Sequence, residues 1–352
     1  MVKVISIILV FGIIVFIHEF GHFLFARMNK VKVNEFSIGM GPSIATFGKK
    51  DTKYSLRLLP IGGYCMMEGQ LDESDDPNAF NKKTAWQRLA ILFAGPLFNF
   101  ILAFILAVIV CHFSYIDPAT IKEVAKDSAA EEAGLMAGDT ITYLNGDRIY
   151  NFRELSLFRM TTDPKKPVQV TYDRNGESRE TVVQMRYDEE TGSYMFGVAS
   201  DMRLASSFSE ELFYGLLELR LQVKSVFMTL KTLFTGNFNK DNLSGPVGIA
   251  NMMSDVIDEA EDAAEETGEG FSLVLLNIVN FVVLLSANLG VMNLLPIPAL
   301  DGGRILLVLF EAVKRKRIPA DKEIVITAIG AVLLILLMIF VLFNDIGKVM
   351  GR

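Results

Sequence analysis

Four stretches of this 352-residue sequence are long and apolar enough to cross a lipid bilayer, which takes about 20 residues of helix. They run from Val4 to Ala26, Leu89 to Phe113, Phe271 to Leu295 and Ile324 to Phe343. No water satisfies backbone amides inside a bilayer, so single apolar stretches of this length cross it as helices. The sequence is therefore expected to fold as a polytopic α-helical bundle of four transmembrane helices, with the remaining segments placed between them. A hydrophobic fraction of 51% agrees. A net charge of −7, with no Lys/Arg tract, argues against nucleic acid as a partner. Two cysteines, Cys65 and Cys111, are expected near opposite membrane faces and make no disulfide framework.

The first stretch follows Lys3 in the manner of an export signal. No small-residue cleavage site follows it, however, and it holds His18, Glu19 and His22. An export signal has no use for ionisable groups at its centre, so this segment reads as a retained span.

Loop charge sets the orientation. Ten Lys/Arg lie from Arg27 through Arg88 and six from Arg304 through Lys322, whereas the N-terminal tail offers only Lys3. The positive-inside rule then places those two loops in the cytoplasm and both termini outside. Trp86, beside basic residues, suits an interfacial anchor at the start of the second span. The segment from Ser114 to Gly270 falls on the extracytoplasmic side.

Within the cytoplasmic loop, VKVNEFSIGMGPSIATF and KYSLRLLPIGGYCMME alternate as strands do, joined around Gly48–Asp51. This predicts a membrane-associated β-hairpin over residues 31–69, although the pattern alone allows a linker of mixed structure equally well. Outside, residues 118–199 read as strands (TIKEVA, DTITYLNG, VQVTYDRNG, RETVVQMRY) separated by helices (SAAEEAG, NFRELSLFRMT), a small α+β domain. FSEELFYGLLELRLQVKSVFMTLKTLF then has helical spacing, but Glu210, Glu211, Glu218, Arg220 and Lys224 interrupt it. It is expected to be an amphipathic surface helix rather than a fifth span, followed by an acidic linker, Asp255 to Glu269. The expected organisation is 1–113 for two spans and the hairpin, 118–199 for the α+β domain, 200–270 for the amphipathic helix and linker, and 271–352 for the last two spans.

The chemistry concentrates at His18-Glu19-Phe20-Gly21-His22. Residues four apart share a helix face, so both imidazoles can reach one zinc ion. Glu19 beside them is a candidate general base toward water that the metal acidifies. Three ionisable groups in an apolar span are costly unless they bind something or face a cavity. A purely ligating site needs no base between its histidines, which argues against a metal-dependent scaffold. A transporter would show paired internal repeats, and none is visible.

Catalytic zinc takes three protein ligands and leaves the fourth position open. The remaining histidine, His112, falls at the outer end of the second span, the wrong depth by most of a bilayer. Asp301, in NLLPIPALDGGR at the inner end of the third span, falls at the right depth. Pro296 and Pro298 cannot continue that helix, and broken backbone at membrane depth is tolerated where it lines a cavity or is buried in protein. Gly95, Pro96 and Asn99 of the second span read as packing and kink residues.

Taken together, HEFGH in a first span, AGPLFN in a second, LSGPVGIA and NLGVMNLLPIPALDGGR resemble the site-2 protease family in its bacterial, RseP-type branch. The segment AEEAGLMAGDTITYLNGDRI is similar to the PDZ domains of bacterial envelope proteases. The resemblance covers essentially the whole chain in order. It implies an intramembrane zinc endopeptidase in which His18, His22 and Asp301 bind Zn2+ and Glu19 is the catalytic base. It further implies that the 31–69 hairpin presents substrate and that Asn293 holds substrate backbone or the oxyanion. Asn288 is a candidate for the same work, with helix–helix hydrogen bonding a nearly equal alternative. The implied partners are single-span membrane proteins in the bilayer, such as anti-sigma factors or signal-peptide remnants, already trimmed by another protease. The implied location is the bacterial inner membrane, with the active site near its cytoplasmic side. One PDZ-like domain fits the insert, where some relatives carry two.

Overall fold

Helix α1 (Val2–Met28) leads into strands β1 (Val33–Phe47) and β2 (Lys53–Met67), and then into helix α2 (Ala85–Phe113). The computed structural model describes residues 2–48, 52–70, 72–189, 191–234, 245–267 and 270–350. A strand-rich segment follows α2. It comprises β3 (Ile121–Val124), α3 (Ala129–Glu132), β4 (Thr140–Leu144), β5 (Asp147–Arg148), α4 (Phe152–Thr161), β6 (Val168–Arg174), β7 (Glu177–Val183), β8 (Arg186–Asp188), β9 (Ser193–Met195) and β10 (Val198–Ser200). The chain ends in helices α5 (Phe208–Phe234), α6 (Pro246–Thr267), α7 (Gly270–Leu294), α8 (Asp301–Lys314) and α9 (Ala320–Met350). Among the described residues, four helices are long and apolar enough to cross a membrane: those over Ile5–Met28, Ala85–Phe113, Ser272–Leu294 and Asp321–Lys348. They coincide with the four expected spans to within a few residues at each end.

The chain divides into two compact units, residues 1–106 with 232–352, and residues 107–231. In the first, α1 packs beside β1, β2, α6 and α7. Ala26, Val33, Phe36, Cys65, Ile91, Leu92 and Val308 form one buried cluster; Val10, Ile14, Met253, Ile257, Phe281 and Val282 form another. Burial of such side chains stabilises by about 1.5–3 kcal/mol each in water, but lipid is itself apolar. Inside a bilayer, close packing and polar contacts between helices carry more of the association. Several such contacts are present. Ser286 on α7 donates to the Asn99 carbonyl on α2 at 2.9 Å. Asp345 on α9 accepts the N–H groups of Gly245 and Gly248 at 3.1 and 2.8 Å, capping α6. Arg88 and Glu311, both buried, pair between α2 and α8.

The hairpin is more folded than the alternation suggested. Residues Glu35 to Ile38 of β1 find partners on two sides, Lys53–Leu56 and Gly63–Met66 of β2, while Ser43–Phe47 pairs with Tyr54–Arg57. The breaks between these segments contain Gly39, Gly41 and Gly62, with φ of 84°, 83° and 85°, a conformation that side chains resist. Alternation reveals strand character, but it does not reveal where a strand doubles back. Residues 49–51, within the expected joint, lie outside the described residues.

In the second unit, β5, β4, β6 and β7 form a four-stranded sheet in that order, and β3 pairs with β10. Inward residues Ile141, Leu144, Val168, Val170 and Val183 pack with Leu155 and Phe158 of α4. Ser128 and Asn151 cap α3 and α4, accepting the N–H groups of Glu131 and Glu154. Asp139, just before β4, is buried; burial pushes its carboxyl up, but hydrogen bonds from Arg174 and the Met136 amide hold it below the usual carboxylate range.

Helix α5 occupies the residues expected of the amphipathic helix. Within this unit Tyr214 and Leu217 are buried against Cys111 and Ile116. The charges that interrupt its apolar pattern are mostly paired: Glu210 with Arg203, Glu211 with His112, Glu218 with Arg153 and Arg220 with Glu154. The acidic run beyond it is not a linker in its described part. Asp255 to Thr267 belongs to α6, because Met253 and Ile257 on the same helix are buried in the core and hold it there.

Candidate active site

His18 and His22 stand one helical turn apart on α1, with both imidazoles buried. Facing them, α7 ends at Leu294. Pro296 and Pro298 interrupt the helix, Ala299 adopts a left-handed φ of 80°, and α8 starts at Asp301. A left-handed alanine costs of order 1–3 kcal/mol and survives only where its surroundings hold it. Here it turns the chain so that the first residue of α8 meets the histidines. The Asp301 Oδ2 lies 3.2 Å from Nε2 of His18 and 3.2 Å from Nε2 of His22, and the two Nε2 atoms are 3.3 Å apart.

These three atoms form a nearly equilateral triangle. Ligands at the usual 2.0–2.1 Å from a tetrahedral zinc stand about 3.3 Å apart, so the triangle matches one face of such a site. Two imidazoles and one carboxylate are also a donor set that catalytic zinc takes. The residues present therefore fit the metal. The Nδ1 of His22 lies 2.8 Å from the Ile91 carbonyl, which can only accept, so Nδ1 carries a proton and Nε2 is the ring atom left for a metal in the neutral imidazole.

The triangle opens into a cavity of about 640 Å³ that Glu19 also lines. Gly62 to Met67 of β2 form its opposite wall. Asn293 joins the site, its Nδ2 3.4 Å from Nε2 of His18. Asn288 does not line this cavity, and its buried Oδ1 has no hydrogen-bond partner among the described residues. His112 is not part of the triangle; its Nδ1 lies 2.9 Å from Glu211. Cys65 and Cys111 are free.

Two residues that read from sequence as packing sit directly on the histidines. A Cβ at Gly95 would stand 2.3 Å from Nε2 of His22 and 2.8 Å from Cε1 of His18, so α2 can approach the rings only with glycine there. Asn99, one turn later, places its amide 3.2 Å from Nδ1 of His18. The spacing from Gly95 to Asn99 puts both on one face of α2, but nothing local said that this face meets α1.

Residues 6–337 match peptidase family M50. A Clostridium acetobutylicum protein named for assumed zinc metalloprotease activity is 37% identical over 344 residues, covering 98% of this chain and 97% of its own. The zinc metalloprotease RasP of Shouchella clausii is 32% identical, covering 97% of this chain and 98% of its own. The PDZ domain of an SdrC-like protein from Listeria monocytogenes aligns with 24% of this chain and 88% of its own, at 19% identity and a TM-score of 0.22, too slight a likeness to assign a fold. The chain belongs to peptidase family M50, the site-2 proteases, zinc-dependent endopeptidases that span the membrane several times and cleave membrane proteins there.

Proposed function

We propose that His18, His22 and Asp301 hold the zinc ion, that Glu19 is the general base, and that the substrates are single-span membrane proteins already trimmed by another protease. The observation that carries this reading is the 3.2–3.3 Å triangle of donor atoms beside Glu19 in one cavity. Zinc, when bound, supplies Lewis acidity toward water and toward the scissile carbonyl. Glu19 takes the proton of the attacking water on its carboxylate and returns it to the leaving amide nitrogen. Asn293 aims a side-chain amide at the same space and donates to the substrate carbonyl as its oxygen gains charge. Asn288, outside the cavity wall, is given no part in these steps.

A helical substrate hides its carbonyls in its own hydrogen bonds, so it must unwind before cleavage. The segment Gly63–Met67 pairs with β1 along one edge, and its other edge has no strand partner among the described residues. An unwound span added along that free edge would bring its backbone over Glu19. Anti-sigma factors and signal-peptide remnants suit this description. The bacterial relatives support an inner-membrane location, and loop charge supports both termini extracytoplasmic with the site near the cytoplasmic face.

The test is a purified, zinc-loaded protein in lipid vesicles with a trimmed single-span substrate. Cleavage should map inside the span by mass spectrometry, stop when zinc is chelated, and return when it is restored. Cuts confined to the soluble flanks, or turnover that survives chelation, would refute the reading.

The strand-rich domain, 118–199, carries the PDZ-like segment and no member of the donor triangle. It serves as a size filter or as a receptor for trimmed C-termini. Its deletion should leave zinc content unchanged. Loss of a filter would admit substrates that keep their full external domains, whereas loss of a receptor would slow cleavage of trimmed ones. A zinc-loaded deletion variant that matches wild type on both substrates would exclude both functions.

A further inference from the structure

The ring of His18 presents Nε2 to Asp301 and Nδ1 to Asn99, a residue of α2 with 0% exposure. As placed, the Nδ2 of Asn99 faces the ring, and its buried Oδ1 has no hydrogen-bond partner among the described residues. Amide nitrogen and oxygen have nearly the same shape, so exchanging them by a half-turn leaves the packing unchanged. A neutral imidazole that offers the Nε2 lone pair to a metal carries its proton on Nδ1. That N–H needs an acceptor, and an amide –NH2 is not one. Of the two atoms Asn99 can turn to His18, only Oδ1 meets the requirement. His22 already follows the same rule through the Ile91 carbonyl.

We propose that Asn99 is a positioning residue of the metal centre: its Oδ1 accepts the Nδ1–H of His18 and fixes the ring in the tautomer and orientation that present Nε2 to zinc. This rests on the reading of His18 as a ligand. Asn99 is itself held in place. Its carbonyl accepts the Ser286 hydroxyl of α7 at 2.9 Å, and both residues are fully buried. The helix that sets the His18 ring is thus docked to the helix that carries Asn293. Partners that orient metal-bound histidines commonly change metal affinity about 10–100-fold when removed.

The experiment compares zinc affinity, by chelator competition on the full chain in detergent, for wild type, Asn99→Leu, Asn99→Asp and His18→Ala. Asn99→Leu keeps the approximate shape without an acceptor and should bind zinc about 10–100-fold more weakly. Asn99→Asp keeps an acceptor and should stay within a few-fold of wild type; a purely packing role would make a buried carboxylate at least as harmful as leucine. Nitrogen-15 spectra of histidine-labelled, zinc-loaded wild type should show a proton bonded to Nδ1 of His18. This measurement can overturn the proposal even if Asn99→Leu fails to fold, since an unprotonated or metal-bound Nδ1 is incompatible with it. If His18→Ala weakens zinc binding while folded Asn99→Leu equals wild type, the proposal falls and the ligand reading stands. If His18→Ala binds zinc as wild type does, both fall.

Discussion

Glu19→Gln should retain zinc and lose peptide-bond cleavage by about 10²–10⁴-fold, the usual worth of a positioned general base. Glutamine has nearly the same shape as glutamate, and Glu19 supplies none of the three donor atoms of the triangle. The substitution therefore removes proton acceptance and leaves the donor atoms where they are. An amide oxygen at that position can hold a water molecule but cannot take its proton. The check pairs zinc content by atomic absorption with turnover of a trimmed single-span substrate. Near-normal turnover in a zinc-loaded variant would remove Glu19 from the mechanism, and loss of zinc would mean that it is a ligand instead.

Asp301→Ala should lose both metal and activity, and His112→Ala should lose neither. Deleting one vertex of the triangle leaves two imidazoles, which makes too weak a site for catalytic zinc, whose protein ligands number three. His112 instead contacts Glu211 at the start of α5, an exposed pair of the kind worth at most about 1 kcal/mol. Zinc analysis after a chelator wash separates the two variants. A metal-free His112→Ala beside a metal-loaded Asp301→Ala would overturn the ligand set.

Much of this protein was readable without coordinates. The four apolar stretches dictate helices, because a bilayer leaves an unpaired backbone amide no alternative. HEFGH places two imidazoles and a carboxylate by helical period alone, and the α5 boundaries match the expected segment at both ends. Asp301 could be matched to the histidines through depth, which loop charge sets. Each of these follows from local periodicity or from one rule that acts along a single axis.

What tertiary structure decided lies across that axis. Asn99 and Gly95 looked like packing residues because no sequence signal says which face of α2 turns toward α1; the structure turns this one, 81 positions from His18. Asn288 and Asn293 share a helix, yet only Asn293 lines the cavity, since five residues take a helix well past one full turn. The doubling back of β1 and β2 depends on pairings that alternation does not encode. The acidic run looked like a linker because charge density was all that composition showed, while Met253 and Ile257 hold that helix against its neighbours. Sequence by itself determined most of the elements that form and the chemical types they carry. The rotation of each helix about its own axis, and with it the contacts of every histidine nitrogen, came only from packing many residues at once, because a helix's own hydrogen bonds are satisfied at any rotation.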